Sequence, residues 1–441
     1  MSEALVETRE QGLRLRRPER SQYALRMECA EDLVAPDHPV RVIWEVTGSL
    51  DLSGFYASIR AREGVVGRDA TDPRLLVALW LYAATRGVGS ARELARLCEE
   101  NRAFQWLCGG VSLNYHTLSD FRVGHGEALD GLLTQLLTAL VEQKLVSVWR
   151  ISQDGTRVRA CAGAGSFRRR ERLQTLYEEA KAHVEQLRRQ VEEPGLAAGM
   201  GARKRAARER AARERQQRIE QALARLPELE QKQQQLASKV AAKAKAKAHQ
   251  LREPRVSTTD PEVRVMKMSD GGYRPAVNVQ LACDPESRAI VGVEVSASGV
   301  DTGQSEPMRE QVEKRSGQKV SEHLLDGGYL THDDLERAAE QEVTLYVPPK
   351  PPRNRNRRAS AYEPRPGDSP AVAQWRQRMG SEEGQEIYKL RGATSETVNA
   401  DLKTHRGLGP LTVRGLDKIR CAVLWPVLAY NLMHHGAALL G

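Results

Sequence analysis

The stretch YRPAVNVQLACDPESRAIVGVEVSA, residues 273–297, decides the fold of this chain. In 273–282 and again in 288–297, apolar residues alternate with polar or small ones, a period of two that is typical of β-strands. The two runs are joined by CDPES, a short polar connection suited to a turn. The stretch therefore predicts an antiparallel β-hairpin.

The segments around this hairpin alternate between strand and helix. GQSEPMREQVEKRSG (303–317) favours a helix, HLLD is a short strand ending at Asp326, Thr331 begins a second helix, and TLYVPP (344–349) favours another strand. An earlier strand, SVWRISQD, ends at Asp154 and would join the same sheet. This order predicts an α/β fold, more narrowly an α+β mixed sheet with helices packed against it.

The N-terminal third is dominated by helix signals. Asp72-Pro73 places proline in the first turn of a helix, and Ser90 with Glu93 has the pattern of a capping box. A short helix then follows Gly109-Gly110, and a helix, tight turn and short helix are the arrangement of a helix-turn-helix. The residues expected to face outward and contact DNA are His116, Thr117, Ser119 and Arg122. The alternative is a small helical bundle used for packing or dimerisation.

The basic charge of the chain is concentrated in one segment. The 441 residues carry a net charge of +9, and residues 168–255 alone hold 23 Arg and Lys against 12 Asp and Glu. Apolar residues at helical spacing on both sides of EEPGLAAGMG (192–201) predict two long helices in an antiparallel, coiled-coil hairpin. Lysines in AAKAKAKAHQ (241–250) could contact phosphates. The alternative is a solvated or partly disordered charged insert.

Several classes of protein are disfavoured by the sequence. The six cysteines form no C-x-x-C pair and no Cys/His cluster at zinc-ligand spacing. Neither G-x-x-x-x-G-K-[ST] nor G-x-G-x-x-G occurs, which argues against a P-loop or Rossmann nucleotide site. No apolar run has the length of a membrane span, and MSEALVETRE does not resemble a signal peptide. We therefore expect a soluble intracellular protein.

Three acidic residues occupy positions suited to metal chemistry. Asp154 and Asp326 each end a predicted strand and precede glycine, and the C-terminal edge of a sheet is where functional groups converge. Glu396 would start a helix capped by Ser395, with Lys403 two turns further along the same face. Three such carboxylates suit two Mg²⁺ ions that promote phosphodiester cleavage. Taken singly, each acid is weak evidence, because Asp-Gly usually forms a turn and a glutamate at the first position of a helix usually interacts with the helix dipole.

Three motifs together resemble the catalytic signatures of bacterial insertion-sequence transposases with a DDE, RNase H-like core. They are QDGT (153–156), LLDGGY (324–329) and YKLRGATSETVNADLKTHRGLGPLTVRGL (388–416). The segment from DPRLLVALWLYAATRG to HTLSDFR is similar to the helical domain that precedes this core, and TTDPEVRVMKMSDGGYRPAVNVQ (258–280) resembles the stretch before its β-hairpin. The resemblance extends from about residue 25 to residue 435.

The resemblance implies an activity, a cofactor and partners. It implies Mg²⁺-dependent cleavage, with Mn²⁺ as a substitute and two ions in the site, at the terminal inverted repeats of the protein's own element. The freed 3′-OH ends would then attack target DNA, with double-stranded DNA as substrate and a homodimer in the synaptic complex. It also implies a cytoplasmic, nucleoid-associated protein of a bacterium.

The resemblance also implies roles for individual residues. Asp154, Asp326 and Glu396 would be the catalytic metal ligands, while the neighbouring DNA-phosphate contacts would be Tyr388, Arg391 and Lys403. Four residues separate Arg391 from Glu396, where related transposases often have three. Two other acids, Asp260 and Asp270, are expected to be structural.

A basic loop and a division into domains complete the expectations. KPPRNRNRR (350–358) would follow the DNA backbone, and its alternative is a flexible linker. The arginines expected to bind DNA there are Arg353, Arg355, Arg357 and Arg358. The expected domains are a helical DNA-binding or dimerisation domain (1–145), the first part of the core (146–167), the basic helical insertion (168–255) and the rest of the core (256–441).

Two other functions compete with transposition. The first is an RNase H-like DNA nuclease that cuts without strand transfer, and inverted repeats flanking the gene would argue against it. The second is a catalytically silent, transposase-derived DNA-binding protein. The presence of all three candidate acids argues against that alternative.

Overall fold

The computed structural model describes residues 21, 27–61, 64, 66, 69–192, 201–242, 253–350 and 361–439. Its strands are β1 (Arg150–Arg159), β2 (Phe167–Arg168), β3 (Val256–Ser257), β4 (Arg264–Lys267), β5 (Tyr273–Cys283), β6 (Ile290–Ser296), β7 (Glu322–Leu324) and β8 (Thr344–Tyr346). Its α-helices are α1 (Pro39–Ser49), α2 (Ser53–Tyr56), α3 (Pro73–Thr85), α4 (Ala91–Glu100), α5 (Arg102–Cys108), α6 (Tyr115–Gly124), α7 (Gly126–Glu142), α8 (Arg170–Glu192), α9 (Ala202–Ala242), α10 (Ser305–Ser316), α11 (His332–Glu340), α12 (Pro370–Gly380), α13 (Glu382–Arg391), α14 (Thr397–Thr404) and α15 (Leu416–Leu439).

The centre of the molecule is a six-stranded mixed sheet. Its order is β4-β5-β1-β7-β8, and β6 lies beside β5. β5 pairs antiparallel with β1 along one edge and with β4 and β6 along the other. β7 pairs parallel with both β1 and β8. The predicted β-hairpin and the predicted mixed α/β fold are confirmed.

The two faces of β5 differ from what its alternating sequence suggests. Alternation normally indicates one buried and one solvated face. In β5 the polar residues Asn278 and Gln280 are fully buried, and so are the neighbouring apolar residues Val277 and Val279. The strand is internal to the sheet and covered on both faces, so its polar side chains must find partners inside the protein.

The N-terminal helices share one hydrophobic core with the C-terminal helix α15 and with the sheet. The rings of Trp80 in α3 and Trp425 in α15 have centroids 6.3 Å apart. The indole Nε1 of Trp425 donates to the carbonyl oxygen of Arg122 at 3.0 Å. Within the described part of the chain, no helix is both long and apolar enough to cross a membrane.

The candidate helix-turn-helix contains an additional helix and one inward-facing arginine. α5 lies between α4 and the turn, and α6 follows that turn. Arg122 is buried, with its guanidinium 5.2 Å from the Trp80 ring centroid and 3.3 Å from the hydroxyl of Thr412. The prediction that Arg122 faces outward is wrong, because it lies four residues after the buried Leu118 and therefore on the same helix face.

The basic insertion contains two long antiparallel helices, α8 and α9. Near its base, Leu173 of α8 packs with Leu226 and Leu229 of α9, whereas further out Leu187 packs with Ala212. We call α8 and α9 the helical hairpin. The turn expected at Pro194-Gly195 and most of the lysine-rich segment 241–250 lie outside the described residues.

Candidate functional site

Asp154 and Asp326 occupy equivalent positions on two neighbouring strands. The parallel pairing of β1 with β7 ends at Ser152 and Leu324, and each aspartate lies two residues beyond its own strand's last paired residue. The prediction that Asp154 ends a strand is wrong. It lies in the middle of β1, because pairing with β5 continues to Arg159. The two carboxylates nevertheless lie at the point where the two strands separate.

A continuous helical segment, residues 382–404, covers this point, and we call it the site helix. It consists of α13, a π-helical turn (Gly392–Glu396) and α14. The guanidinium of Arg391 donates to Asp154 Oδ1 at 2.9 Å, and the side-chain amide of Asn399 donates to Asp154 Oδ2 at 3.0 Å. Both carboxylate oxygens of Asp154 are therefore held by the site helix.

The π-helical turn explains how both donors lie on the same side of the site helix. Arg391 and Asn399 are eight residues apart, which would place them about 80° out of phase on a regular α-helix. A π turn accommodates one extra residue, so the pair behaves as if seven apart and about 20° out of phase. The four-residue spacing between Arg391 and Glu396 is thus accommodated locally.

Hydroxyl groups attach the π turn to the sheet. The Oγ atoms of Ser395 and Ser152 are 2.7 Å apart and hydrogen-bonded. The hydroxyls of Thr394 and Thr397 donate to the carbonyl oxygens four residues before them, contacts that can bend a helix. The prediction that Ser395 caps the start of a helix at Glu396 is wrong, because the chain is already helical before these residues.

The charged groups of the site influence one another. Burial raises the pKa of Asp154 and the Asp326 carboxylate adds to the rise, while the Arg391 guanidinium opposes it. Burial lowers the pKa of Arg391, but Asp154, Tyr388 and Asp326 outweigh that effect and the net direction is upward. Desolvation by neighbouring atoms also lowers the pKa of Lys403, although the residue as a whole is exposed, and the attraction of Asp154 opposes this shift. These groups therefore share one electrostatic environment.

The donor chemistry of the site suits a hard divalent cation. Carboxylate oxygens are ligands that Mg²⁺ takes, and Asp326 and Glu396 are exposed while the Asp154 side chain is 22% exposed. Across the residues that the structure describes, no group of three or more His, Cys, Asp and Glu side chains is placed to hold a metal ion. The ligand types thus fit the cation, but they are not gathered around one point in this conformation.

A buried polar network lies behind the glycine that follows the first site aspartate. A Cβ atom added at Gly155 would lie 2.5 Å from Asp301 Oδ1 and 2.8 Å from Asn278 Oδ1. Asp301 Oδ1 accepts hydrogen bonds from the side-chain amides of Asn278 at 2.7 Å and Gln280 at 2.8 Å. The hydroxyl of Tyr329, from the turn after β7, donates to Gln280. Glycine is required here because the network approaches the backbone closely.

The remaining candidate acids lie in turns and at a helix start, consistent with the structural roles expected of them. Asp260 accepts a hydrogen bond from the backbone N–H of Gly415, next to the start of α15, at 3.1 Å. Asp270 accepts from the backbone N–H of Gly272 at 2.9 Å and from the side chain of Arg274 at 2.8 Å.

The expected DNA-contacting residues lie in different surroundings. His116 and Ser119 on α6 are exposed and Thr117 is half-buried, so these three are accessible, unlike Arg122. Lys403 is exposed, whereas Tyr388 and Arg391 are half-buried against the site carboxylates. The loop arginines Arg353, Arg355, Arg357 and Arg358 lie outside the described residues.

Sequence reasoning missed two features of the site. Asn399 was not singled out, although it lies three residues after Glu396 and four before Lys403, on the same face of the site helix. The network around Asp301 was also missed. Its signal was the pair of polar residues, Asn278 and Gln280, within an otherwise apolar strand.

Comparison with known families gives two matches. The family model described as Transposase domain (DUF772) matches residues 28–123, and the model described as Transposase DDE domain matches residues 245–432. Together they cover more than half of the chain. Comparisons with curated proteins and with solved structures give no match. The matched ranges omit β1 and the helical hairpin, but β1 is paired with strands of the matched DDE range in one sheet. The chain therefore belongs to the insertion-sequence transposases with a DDE domain, and its mixed sheet and helices are consistent with an RNase H-like core.

Proposed function

We propose that the protein cleaves DNA at the terminal inverted repeats of its own insertion sequence and joins the freed 3′-OH ends to target DNA. The observation that carries the proposal is that Asp154 and Asp326 each lie two residues beyond the last β1–β7 pair, beneath a helix that also bears Glu396. The match to the transposase DDE domain supports the same chemistry.

In this proposal the three carboxylates hold the catalytic cation. Asp154, Asp326 and Glu396 would be the ligands, and Mg²⁺, as two ions, is the proposed cofactor, with Mn²⁺ as a substitute. A bound divalent cation would increase the acidity of the attacking water or 3′-OH and offset charge on the leaving oxygen. The protein's part is to fix the direction of the carboxylates and to keep the scissile phosphate beside them.

The phosphate contacts in the proposal come from cations and a phenol beside the carboxylates. Lys403 and Arg391 supply positive charge, and Tyr388 supplies a hydroxyl, all on the site helix. Further contacts are assigned to His116, Thr117 and Ser119 on α6 and to the arginines of the 350–358 loop. Joining requires two DNA ends at once, so the proposal includes a homodimer.

The two competing functions predict different products. An RNase H-like nuclease would nick DNA without joining it, and a silent DNA-binding protein would bind the element ends without cutting. The positioning of Asp154 by two side chains from a distant part of the chain favours an active site over a silent one.

The test is metal-dependent cleavage of linear DNA that carries the gene with its native flanks. Wild type and Glu396→Gln are compared in Mg²⁺, in Ca²⁺ and in EDTA, with Glu383→Gln on the same helix as a control. We expect cutting at the flanking ends and joining to a plasmid only with wild type or the control in Mg²⁺. Nicking without joining would favour the nuclease, and binding without cutting would favour the binding protein.

A further inference from the structure

The two donors that hold Asp154 differ in charge. Arg391 brings a full positive charge to Oδ1, and Asn399 brings a neutral amide to Oδ2. A divalent cation beside Asp154 would repel the guanidinium strongly in a partly buried site, where charges are poorly screened. It would not repel the amide. The two contacts therefore cannot respond in the same way when a cation is bound.

The guanidinium of Arg391 is less completely hydrogen-bonded than that of Arg376, a buried arginine in the same domain. The Nε of Arg391 is buried without a hydrogen-bond partner among the described residues. Arg376, by contrast, donates Nε to Asp368 at 2.7 Å and Nη1 to the carbonyl oxygen of Ala361 at 2.7 Å. If the Arg391 guanidinium moved from Asp154 to another anion, it could form the hydrogen bond that its buried Nε now lacks.

Asn399 is suited to remain in place because its amide is neutral, even though its own Oδ1 is also buried without a hydrogen-bond partner among the described residues. It follows the π turn that is hydrogen-bonded to β1 through Ser395 and Ser152. An amide donor fixes the direction of a carboxylate without removing its negative charge, and such supporting contacts commonly orient metal ligands. Each carboxylate oxygen has a second acceptor site, so the Asn399 contact leaves Asp154 able to bind a cation.

We propose that Arg391 is an exchangeable counter-ion that blocks cation binding at Asp154 until a DNA phosphate draws it away, while Asn399 is a positioning residue that holds Asp154 throughout. The inference rests on the proposed function for the cation and the DNA. DNA binding and cation binding are thereby coupled, because both displace the same ion pair.

The first experiment measures the Mn²⁺ dissociation constant of the full chain by electron paramagnetic resonance without DNA. We expect Arg391→Gln to bind Mn²⁺ about tenfold more tightly than wild type, because the competing charge is gone. Arg391→Lys keeps that charge and should resemble wild type, as should Lys389→Gln, an exposed residue of the same helix. Equal affinities for wild type and Arg391→Gln would overturn the exchange.

The second experiment tests Asn399 in the Arg391→Gln background. Adding Asn399→Leu, which keeps the branched shape but has no donor, should weaken Mn²⁺ binding about tenfold or more. Asn399→Ala is the second variant in case the leucine perturbs folding, and melting temperatures identify misfolded protein. Unchanged Mn²⁺ affinity in a folded Asn399 variant would overturn the positioning role.

A third measurement separates this inference from the proposed function. Mn²⁺ affinity is measured with a pre-cut duplex of the element end, which should tighten binding to wild type but much less to Arg391→Gln. DNA cleavage is measured separately. A flat Mn²⁺ response in an enzyme that cleaves overturns the inference alone. The expected Mn²⁺ pattern in a protein that never cleaves overturns the proposed function alone.

Discussion

The site helix and the helical hairpin each contribute to an arginine–carboxylate pair, and the two pairs differ in sequence separation and in exposure. Arg391 and Asp154 lie 237 residues apart in sequence, and their side chains are only 14% and 22% exposed. In the hairpin, Arg213 pairs with Glu209 one helical turn away, and both are more exposed. Local exposed pairs contribute about 0.3 to 0.5 kcal/mol each. Of these two pairs, only Arg391–Asp154 joins distant parts of the chain and therefore depends on the fold of the core.

The two regions also distribute charge differently. The outer half of the helical hairpin, 184–192 and 202–215, contains nine basic and four acidic residues. The inner half, 170–183 and 216–242, contains seven basic and six acidic residues. The excess charge is therefore far from the end of the hairpin that contacts the core. The site therefore depends on the exact placement of a few side chains, whereas the DNA binding expected of the hairpin depends on its density of positive charge.

Apart from loss of a site carboxylate, the largest effect is expected from shortening the π turn. Deleting Ala393 would return the segment to a regular helix and move Arg391 and Asn399 out of phase with each other. We expect cleavage to fall about a hundredfold, since displacement of site groups by about 1 Å has effects of that size. Deleting one residue from the helical hairpin, Ala211, is the matched control. Equal losses from both deletions would contradict the distinction.

A smaller effect is expected from filling the space at Gly155. In Gly155→Ala the new Cβ would meet the Asp301 and Asn278 oxygens, so β1 or the network must shift. We expect the free energy of unfolding to fall by about 1 to 3 kcal/mol. Chemical denaturation measures this, and Gly163→Ala, where no atom lies within 4 Å, is the control. Equal stability of the two variants would contradict the close approach.

Much of this arrangement could be predicted from the sequence, and the exceptions have physical reasons. Asp154, Asp326 and Arg391 can be proposed from the sequence because local motifs mark them. The contact of Asn399 with Asp154 spans 245 residues, and no local periodicity encodes such a contact. The π turn is also hard to predict, because its only trace in the sequence is one extra residue between Arg391 and Asn399. The outward orientation predicted for Arg122 is wrong because arginines usually lie on helix surfaces, whereas its helical phase places it on the same face as the buried Leu118.

As the pH falls into the mildly acidic range, we expect the sheet to lose stability before the helical hairpin does. Burial lowers the pKa of His323, in β7, to about 3, and neither ring nitrogen has a hydrogen-bond partner among the described residues. A depressed histidine pKa means that stability is lost as the pH falls below the unfolded value of about 6.5. From pH 6.5 to pH 5 this loss is about 2 kcal/mol.

The acid effect is measured by urea unfolding of wild type and His323→Leu at pH 7 and pH 5. The difference between the two pH values should be smaller in the variant, whatever its stability at pH 7. Hydrogen exchange should place the early loss in β1, β7 and β8. The same pH difference in both proteins would show that His323 does not contribute.

The smallest effect is expected from the charges of the helical hairpin. Replacing three exposed outer residues with glutamine should reduce the slope of log binding constant against log salt for element-end DNA by about 2 to 3. Replacing three exposed inner residues should change it less. The outer set is Arg203, Arg208 and Arg210, and the inner set is Arg172, Lys181 and Lys232. Identical slopes for the two sets would contradict the assigned charge asymmetry.

The central claim is that β1, which neither family match covers, supplies a catalytic carboxylate to the DDE site. The most direct test is the cleavage rate of Asp154→Asn on element-end DNA in Mg²⁺, with Asp270→Asn as control and with DNA binding measured in parallel. We predict a loss of about a thousandfold or more for Asp154→Asn, with DNA binding retained. Cleavage within tenfold of wild type would contradict the account.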